Sequence, residues 1–198
     1  FPLDVTDLYF ERLALNINPI LSGGGSPMPI ATYFDGHWEP IVHIREKYRV
    51  NQIGDGTVDN LAAGPGGTTF VVPRRNTGPI VDFDPSDPTN IVGLSEQYTG
   101  WGPTRNIYAF RIWARAENLD DFQEGLQYFD VGAQNWSYAD VEGNIAFFDS
   151  AELPLREDLQ TLNAPDGGVP PWIIRDGTHQ LRHEWLPVSN PQPGQAVP

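Results

Sequence analysis

The sequence predicts a mainly β fold with one inserted helical hairpin, an α+β domain. Three observations point there. The chain holds 20 Gly and 19 Pro in 198 residues, a turn-rich composition that suits short strands and works against a helical bundle. In its first half, short β-branched and aromatic runs are bounded by turn residues. Between about 104 and 130 the apolar spacing changes from two to three and four. Residues 1–186 are expected to form this domain, and residues 187–198, with four prolines, a linker or arm.

Near the start, Val5 to Leu15 mixes apolar and acidic residues and reads as a strand leading into an extended arm. Ser22-Gly23-Gly24-Gly25-Ser26-Pro27 reads as a flexible loop. Pro27 restricts Ser26 and removes the next amide, so Gly25-Ser26 reads as loop and not as a self-cleavage junction. Ala31 to Phe34 and His37 to Ile44 flank Asp35-Gly36, which tolerates the positive φ of a tight hairpin turn. Tyr48, Val50 and Ile53 continue the strand pattern, and Asn51 to Gly67 is polar and turn-rich. Thr68 to Pro73 and Gly78-Pro79-Ile80-Val81 read as strands, Asp84 to Pro88 as a loop.

Thr104 is then a candidate helix cap, with Ile107, Phe110 and Ala114 as the apolar stripe and Trp113 beside it. Asn118 caps a second helix, with Asp120 and Asp121 favourably placed in its first turn. Phe122, Leu126 and Phe129 form its stripe. Asn135 to Asp140 and Ile145 to Phe148 flank Glu142-Gly143-Asn144 as another hairpin. From Ala151 onward the chain is expected to be loop-like.

Charge and composition exclude several functions. A net charge of −14 repels a polyphosphate, so no nucleic acid partner is expected. The absence of cysteine removes disulfides, thiolate zinc sites and cysteine nucleophiles. No apolar run is long enough for a membrane span. No signal-like segment opens the chain, and Phe1 is an improbable gene start, so a longer parent protein is expected. His37, His43, His179 and His183 lack metal-ligand spacing and read as surface or turn residues. Asp140 and Asn144 bracket a tight turn. Glu184 and Asp176 have no geometry that would make them a glycosidase pair. Trp101, Trp136, Trp172 and Trp185 could line a sugar-binding face, but filling the core or covering an interface is the favoured reading.

Four segments carry a family resemblance, in order along the chain. They are Asp4-Val5-Thr6-Asp7-Leu8-Tyr9; Arg74-Arg75-Asn76-Thr77-Gly78-Pro79-Ile80-Val81; Ala109-Phe110 through Asn118-Leu119-Asp120-Asp121-Phe122; and Gln134-Asn135-Trp136-Ser137-Tyr138-Ala139-Asp140-Val141-Glu142-Gly143-Asn144-Ile145. Together they resemble the penicillin acylase family of amidohydrolases, and the region of His183-Glu184-Trp185 resembles the next region of that family. Asn76 and Thr77 stand near where the family commonly has a histidine.

The resemblance implies an N-terminal-nucleophile hydrolase, whose serine is freed by self-cleavage and activated by its own amine before an oxyanion hole. It places the nucleophile well before Phe1, one oxyanion amide just before Phe1, and an asparagine donor beyond Pro198. The chain is therefore expected to be an internal part of the enzyme, inactive alone. The remaining segments or subunits are its expected partners, and self-association is expected if they are missing. The parent is expected to cleave a linear amide, such as a β-lactam side chain or an acyl-homoserine lactone, in the periplasm or outside the cell.

The resemblance also carries over a calcium site and an acyl pocket. Calcium would take the carboxylates of Asp4 and Asp7, the carbonyl of Thr6 and that of Pro170 or Pro171. Read from the residues alone, Asp4 and Asp7 are two acids at a strand end. Phe110 and Gln134 would line the acyl pocket, although the helical spacing of Phe110 equally predicts core packing. The alternative to an acylase domain is a non-catalytic β-rich module that binds carbohydrate or protein. Exposed apolar patches would favour the former; a closed polar surface with a tryptophan-lined groove would favour the latter.

Overall fold

A computed structural model describes residues 5–18, 26–51, 56, 61–64, 66–75, 78–161 and 167–187. Nine strands come first: β1 (Thr6–Asn16), β2 (Met28–Phe34), β3 (His37–Pro40), β4 (Val42–Glu46), β5 (Arg49–Asn51), β6 (Leu61–Ala63), β7 (Gly67–Val72), β8 (Gly78–Asp84) and β9 (Val92–Tyr98). After them come helices α1 (Asn106–Trp113) and α2 (Leu119–Leu126), the hairpin of β10 (Gln134–Ala139) and β11 (Ile145–Ser150), a short helix α3 (Glu157–Thr161) and β12 (Arg175–Asp176). The expected class, a mainly β domain with an inserted helical hairpin, is what forms.

The main sheet runs β3-β2-β1-β9-β8-β7-β4, with β12 added in parallel to β1. Its two end strands, β3 and β4, are separated in sequence by Ile41 alone. The sheet must therefore curl on itself, and Ile41, whose N–H donates to the Ile30 carbonyl at 2.9 Å, sits at the seam. Inside the curl lie Leu13, Ile41, Val72 and Ile80, with Leu15, Phe70, Phe83 and Ile91 packed against them. Each such side chain withdrawn from water contributes about 1.5–3 kcal/mol.

β1 organises the rest. Residues 6–12 pair with β9, residues 13–16 pair with β2, and Tyr9 and Phe10 pair with β12. Its odd positions, Asp7, Tyr9, Glu11 and Leu13, are buried and alternate with exposed ones, as the two-residue period of a strand requires.

The Asp35-Gly36 turn forms with φ of 43° and 81°. The expected single strand from His37 to Ile44 is divided at Ile41, where the chain leaves β2 to pair with β7. Asp140 closes the β10–β11 turn: its carboxylate accepts from the Glu142 and Asn144 amides at 3.0 and 2.9 Å and from Asn144 Nδ2 at 2.8 Å. Ile53, most of the Ser22 to Pro27 loop and residues 188–198 of the expected arm fall outside the described residues.

Two expectations for the helices need correction. Thr104 does not cap α1; Arg105 occupies the N-cap, with no side-chain cap bond. Its own N–H is held by Asp130. The stripe of Ile107, Phe110 and Ala114 does not face the core. Ala109 is the buried residue of α1, while Ile107 and Phe110 are 72% and 52% exposed, because the hairpin packs through Trp113, Phe122 and Phe129. The second helix is capped as expected, with Asn118 Oδ1 accepting from the Asp121 amide at 2.9 Å.

Candidate functional site

The buried face of β1 is polar where a sheet interior is usually apolar, and Arg156 together with the stretch 175–185 covers it. Asp7 accepts from Arg156 Nε at 3.1 and 2.8 Å and from Trp185 Nε1 at 2.5 Å. Tyr9 donates its hydroxyl to the His183 carbonyl at 3.0 Å. Glu11 accepts from Arg75 Nε at 2.5 Å, Arg74 at 3.1 Å and Ser95 Oγ at 2.6 Å. Arg75 continues to Glu184 at 2.7 Å and to the Gly177 carbonyl at 2.9 Å. Arg74 continues to Glu39 and Thr32, each at 2.8 Å. Farther along the tail, Arg175 pairs with Asp158, whose other oxygen accepts from the Val169 amide at 2.9 Å.

These charges stand because they are paired, since an unpaired buried charge is far costlier. Burial works to lower the Arg75 pKa, but Glu184 and Glu11 beside it hold it above its ordinary value. Burial, and then the Asp7 carboxylate, push the Tyr9 hydroxyl well up, so Tyr9 stays protonated. Ser95 is fully buried and donates to a carboxylate that two arginines already hold, so it meets no substrate. The network is a lock between the tail and the sheet and supplies no nucleophile.

The residues expected to bind calcium are only partly brought together. Thr6 and Pro171 line one groove with Leu8, Trp172, Ile173 and Ile174. Asp7 projects to the opposite face of β1, against Arg156, and Asp4 lies outside the described residues. The Pro170 carbonyl accepts from the Ile173 amide at 3.0 Å. A guanidinium against a carboxylate opposes a divalent cation on that same carboxylate. Among the described residues no three His, Cys, Asp or Glu side chains gather as a ligand set.

The residues expected in the acyl pocket sit on the helical hairpin and the strand after it. Phe110 packs edge-on against Trp113 and Phe129, with ring centroids at 5.6 and 6.4 Å, and its outer half is exposed. Gln134 is exposed at the start of β10 and donates from Nε2 to the Gly132 carbonyl at 2.6 Å. Neither lines the cleft on the outer side of the hairpin. Trp136 packs 4.6 Å from Trp113 and 5.1 Å from Phe129, and Trp185 packs on Tyr9. A sugar-binding face would therefore be left with Trp101 and Trp172.

One carboxyl is poised to exchange a proton near neutrality. Glu152 lies just past β11, and its amide donates to the Asp130 carbonyl at 2.8 Å. Burial, then the Asp130 carboxylate, push its carboxyl up to about 7, with Arg105 partly opposing. Asp130 is bidentate to Arg105, at 2.6 Å from its Nη2. The cluster fastens the helical hairpin to the end of β11.

Sequence reasoning missed the buried network, although one signal was readable. Glu11 stands at the same strand parity as Tyr9 and Leu13, so a β strand had to bury it and required a cation. One histidine departs from the expected surface or turn placement: His183 is buried, its Nδ1 accepting from the Asp176 amide at 2.8 Å, while the part-buried His43 donates to the Pro29 carbonyl at 2.7 Å. Glu184 and Asp176 do not pair; Glu184 bonds Arg75, while Asp176 holds its own turn through Thr178 and Leu181.

The sequence model of the penicillin amidase family matches residues 1–196. Among solved structures, the chain is similar to a thermostable penicillin G acylase from Alcaligenes faecalis, with a TM-score of 0.61 and 23% sequence identity, covering 93% of this chain and 27% of that one. At that identity the likeness is one of fold. No curated protein matches the chain.

Proposed function

Because the chain belongs to the penicillin amidase family, we propose that it is an internal part of a larger amidohydrolase that cleaves a linear amide of the β-lactam side-chain or acyl-homoserine lactone type. The observation that carries this reading is the family match over 1–196, together with the span of only 27% of the solved acylase. Exposed apolar side chains support it: Ile107 and Phe110 on α1, and Ile145 and Phe147 on β11, are each more than half exposed, as surfaces that meet further protein are.

In this reading the nucleophile is a serine freed by self-cleavage, and it comes with the oxyanion donors from other parts of the longer polypeptide. The 198 residues supply a rigid β scaffold and, through Phe110 and Gln134, one side of the acyl site. The polar Gln134 would moderate an otherwise apolar wall. Among the described residues no helix is long and apolar enough to cross a membrane; a periplasmic or secreted parent is part of the proposal.

Calcium belongs to the proposal only with Asp4. The shared groove of Thr6 and Pro171 favours such a site, and the Asp7–Arg156 pair weighs against it. Calcium titration of the full-length protein by calorimetry tests it, and an Asp4→Ala variant with unchanged calcium binding would remove this chain from the site. The hydrolase reading is tested by offering the full-length protein chromogenic anilides of phenylacetic, glutaric and octanoic acids. Release of the amine from at least one is expected, and release from none rejects the reading.

A further inference from the structure

The outer side of the helical hairpin carries a cleft of about 710 Å³, within the roughly 300–1,000 Å³ of small-molecule sites. Its two walls carry opposite charge. Arg111 and Arg115 line it from α1 and the residues just after, and Glu124 lines it from α2. Arg115 lies just past the helix end, and its Nη1 reaches back to the Arg111 carbonyl at 3.4 Å, so both guanidinium groups border the same cleft. Among the described residues neither arginine forms an ion pair, and neither does Glu124. Of the other charged residues of the cleft, one is committed to an ion pair and one holds a backbone amide while keeping its negative charge beside Glu124. Arg105 is bidentate to Asp130, and Asp121 accepts from the Glu117 amide at 2.9 Å.

Between the walls stand two tyrosines. Tyr108 and Tyr128 lie with ring centroids 6.2 Å apart at 47°, and Ile112 completes the lining. Opposite charges that face one cleft without joining leave a gap, and that gap has an aromatic and apolar surface. Phe110 does not line it; it packs instead toward Trp113 and Phe129.

We propose that this cleft binds a small zwitterion with an apolar body: a molecule with a free carboxylate and a free ammonium, of the amino-acid class. The carboxylate bridges Arg111 and Arg115, which relieves their mutual repulsion through charge-assisted hydrogen bonds. The ammonium faces Glu124, and the apolar body lies against the tyrosine pair and Ile112. A simple anion would meet the arginines but also the Glu124 carboxylate, and a simple cation would meet the reverse.

The test is calorimetric titration of the full-length protein with L-phenylalanine, 3-phenylpropanoate, which lacks the ammonium, and 2-phenylethylamine, which lacks the carboxylate. L-Phenylalanine is expected to bind roughly tenfold more tightly than either analogue, the scale of one charge-assisted contact. The double variant Arg111→Gln/Arg115→Gln and the single variant Glu124→Gln should each weaken it by roughly tenfold, while thermal melts stay unchanged because all three side chains are on the surface. Absence of L-phenylalanine binding at millimolar concentration overturns the proposal. So does equal binding of 3-phenylpropanoate, and so does binding that neither variant alters, since the amino acid would then occupy another site. Amide hydrolysis plays no part in the readout, so failure here leaves the hydrolase reading standing.

Discussion

Arg75 Nε donates to Glu11 Oε1 at 2.5 Å, and neither side chain reaches solvent. Around this pair the guanidinium lies 3.7 Å from the Tyr9 ring centroid and also binds Glu184 and the Gly177 carbonyl. One arginine thus ties β1 to two points of the tail. Glu11→Ala would leave that cation buried with its main partner gone, and a stability loss of about 3–5 kcal/mol is expected from urea unfolding. The exposed Arg115→Ala should change stability by less than about 0.5 kcal/mol in the same assay. Similar small losses for both would mean that the network does not hold the tail to the sheet.

Gly125 should resist the usual helix-stabilising substitution. Gly→Ala inside a helix commonly gains up to about 1 kcal/mol. Here an added Cβ would run into the Trp113 indole, which donates to the Phe122 carbonyl at 2.9 Å and stacks on Phe122. Gly125→Ala is therefore expected to destabilise by about 1–3 kcal/mol through overpacking. A raised melting temperature would show that the indole moves aside freely.

Asn118→Ala removes the one side-chain cap of α2. A loss of about 1 kcal/mol is expected, seen as a lower melting midpoint with little change in helix content at low temperature. No change in the midpoint would mean that tertiary packing alone sets the start of α2.

Glu152 gives the fold a pH dependence of definite sign. Its carboxyl is raised from 4.5 to about 7, so the folded state binds the proton more tightly than the unfolded chain. The stabilisation is fully present below 4.5 and is lost as pH rises through about 7. Hydrogen-exchange protection factors in α1 and α2, corrected for the intrinsic rise of exchange with pH, are expected to fall from the acidic to the alkaline side of that window. Glu152→Gln, which stays neutral, should flatten the response; a variant with the wild-type profile would assign the effect to another group.

Local chemistry was the legible part of this chain. Asp35-Gly36, Asn118 and the Asp140–Asn144 turn act within a few residues, so their roles can be read from sequence alone. β9 was missed because its buried positions are Gly93, Ser95 and Gln97, which gives a central strand no apolar alternation. The tail was read as loop, yet Arg156 and Glu184 bond Asp7 on β1 and Arg75 between β7 and β8, which lie 149 and 109 residues away in sequence. Partners that distant leave no periodic trace. Phe110 shows the opposite failure. Its helical spacing suggested a core position, but the hairpin packs through Trp113, which left Phe110 at the surface. The Thr6–Pro171 groove was reachable only through the family resemblance.

The central question is whether the longer protein is a self-processing amidohydrolase. Its intact mass after expression, read together with phenylacetyl-anilide turnover, addresses that most directly. Two polypeptides are expected, the later one beginning with serine, with turnover that is lost when that serine is replaced by alanine. A single uncut chain without turnover would contradict it and leave the family scaffold with a binding role.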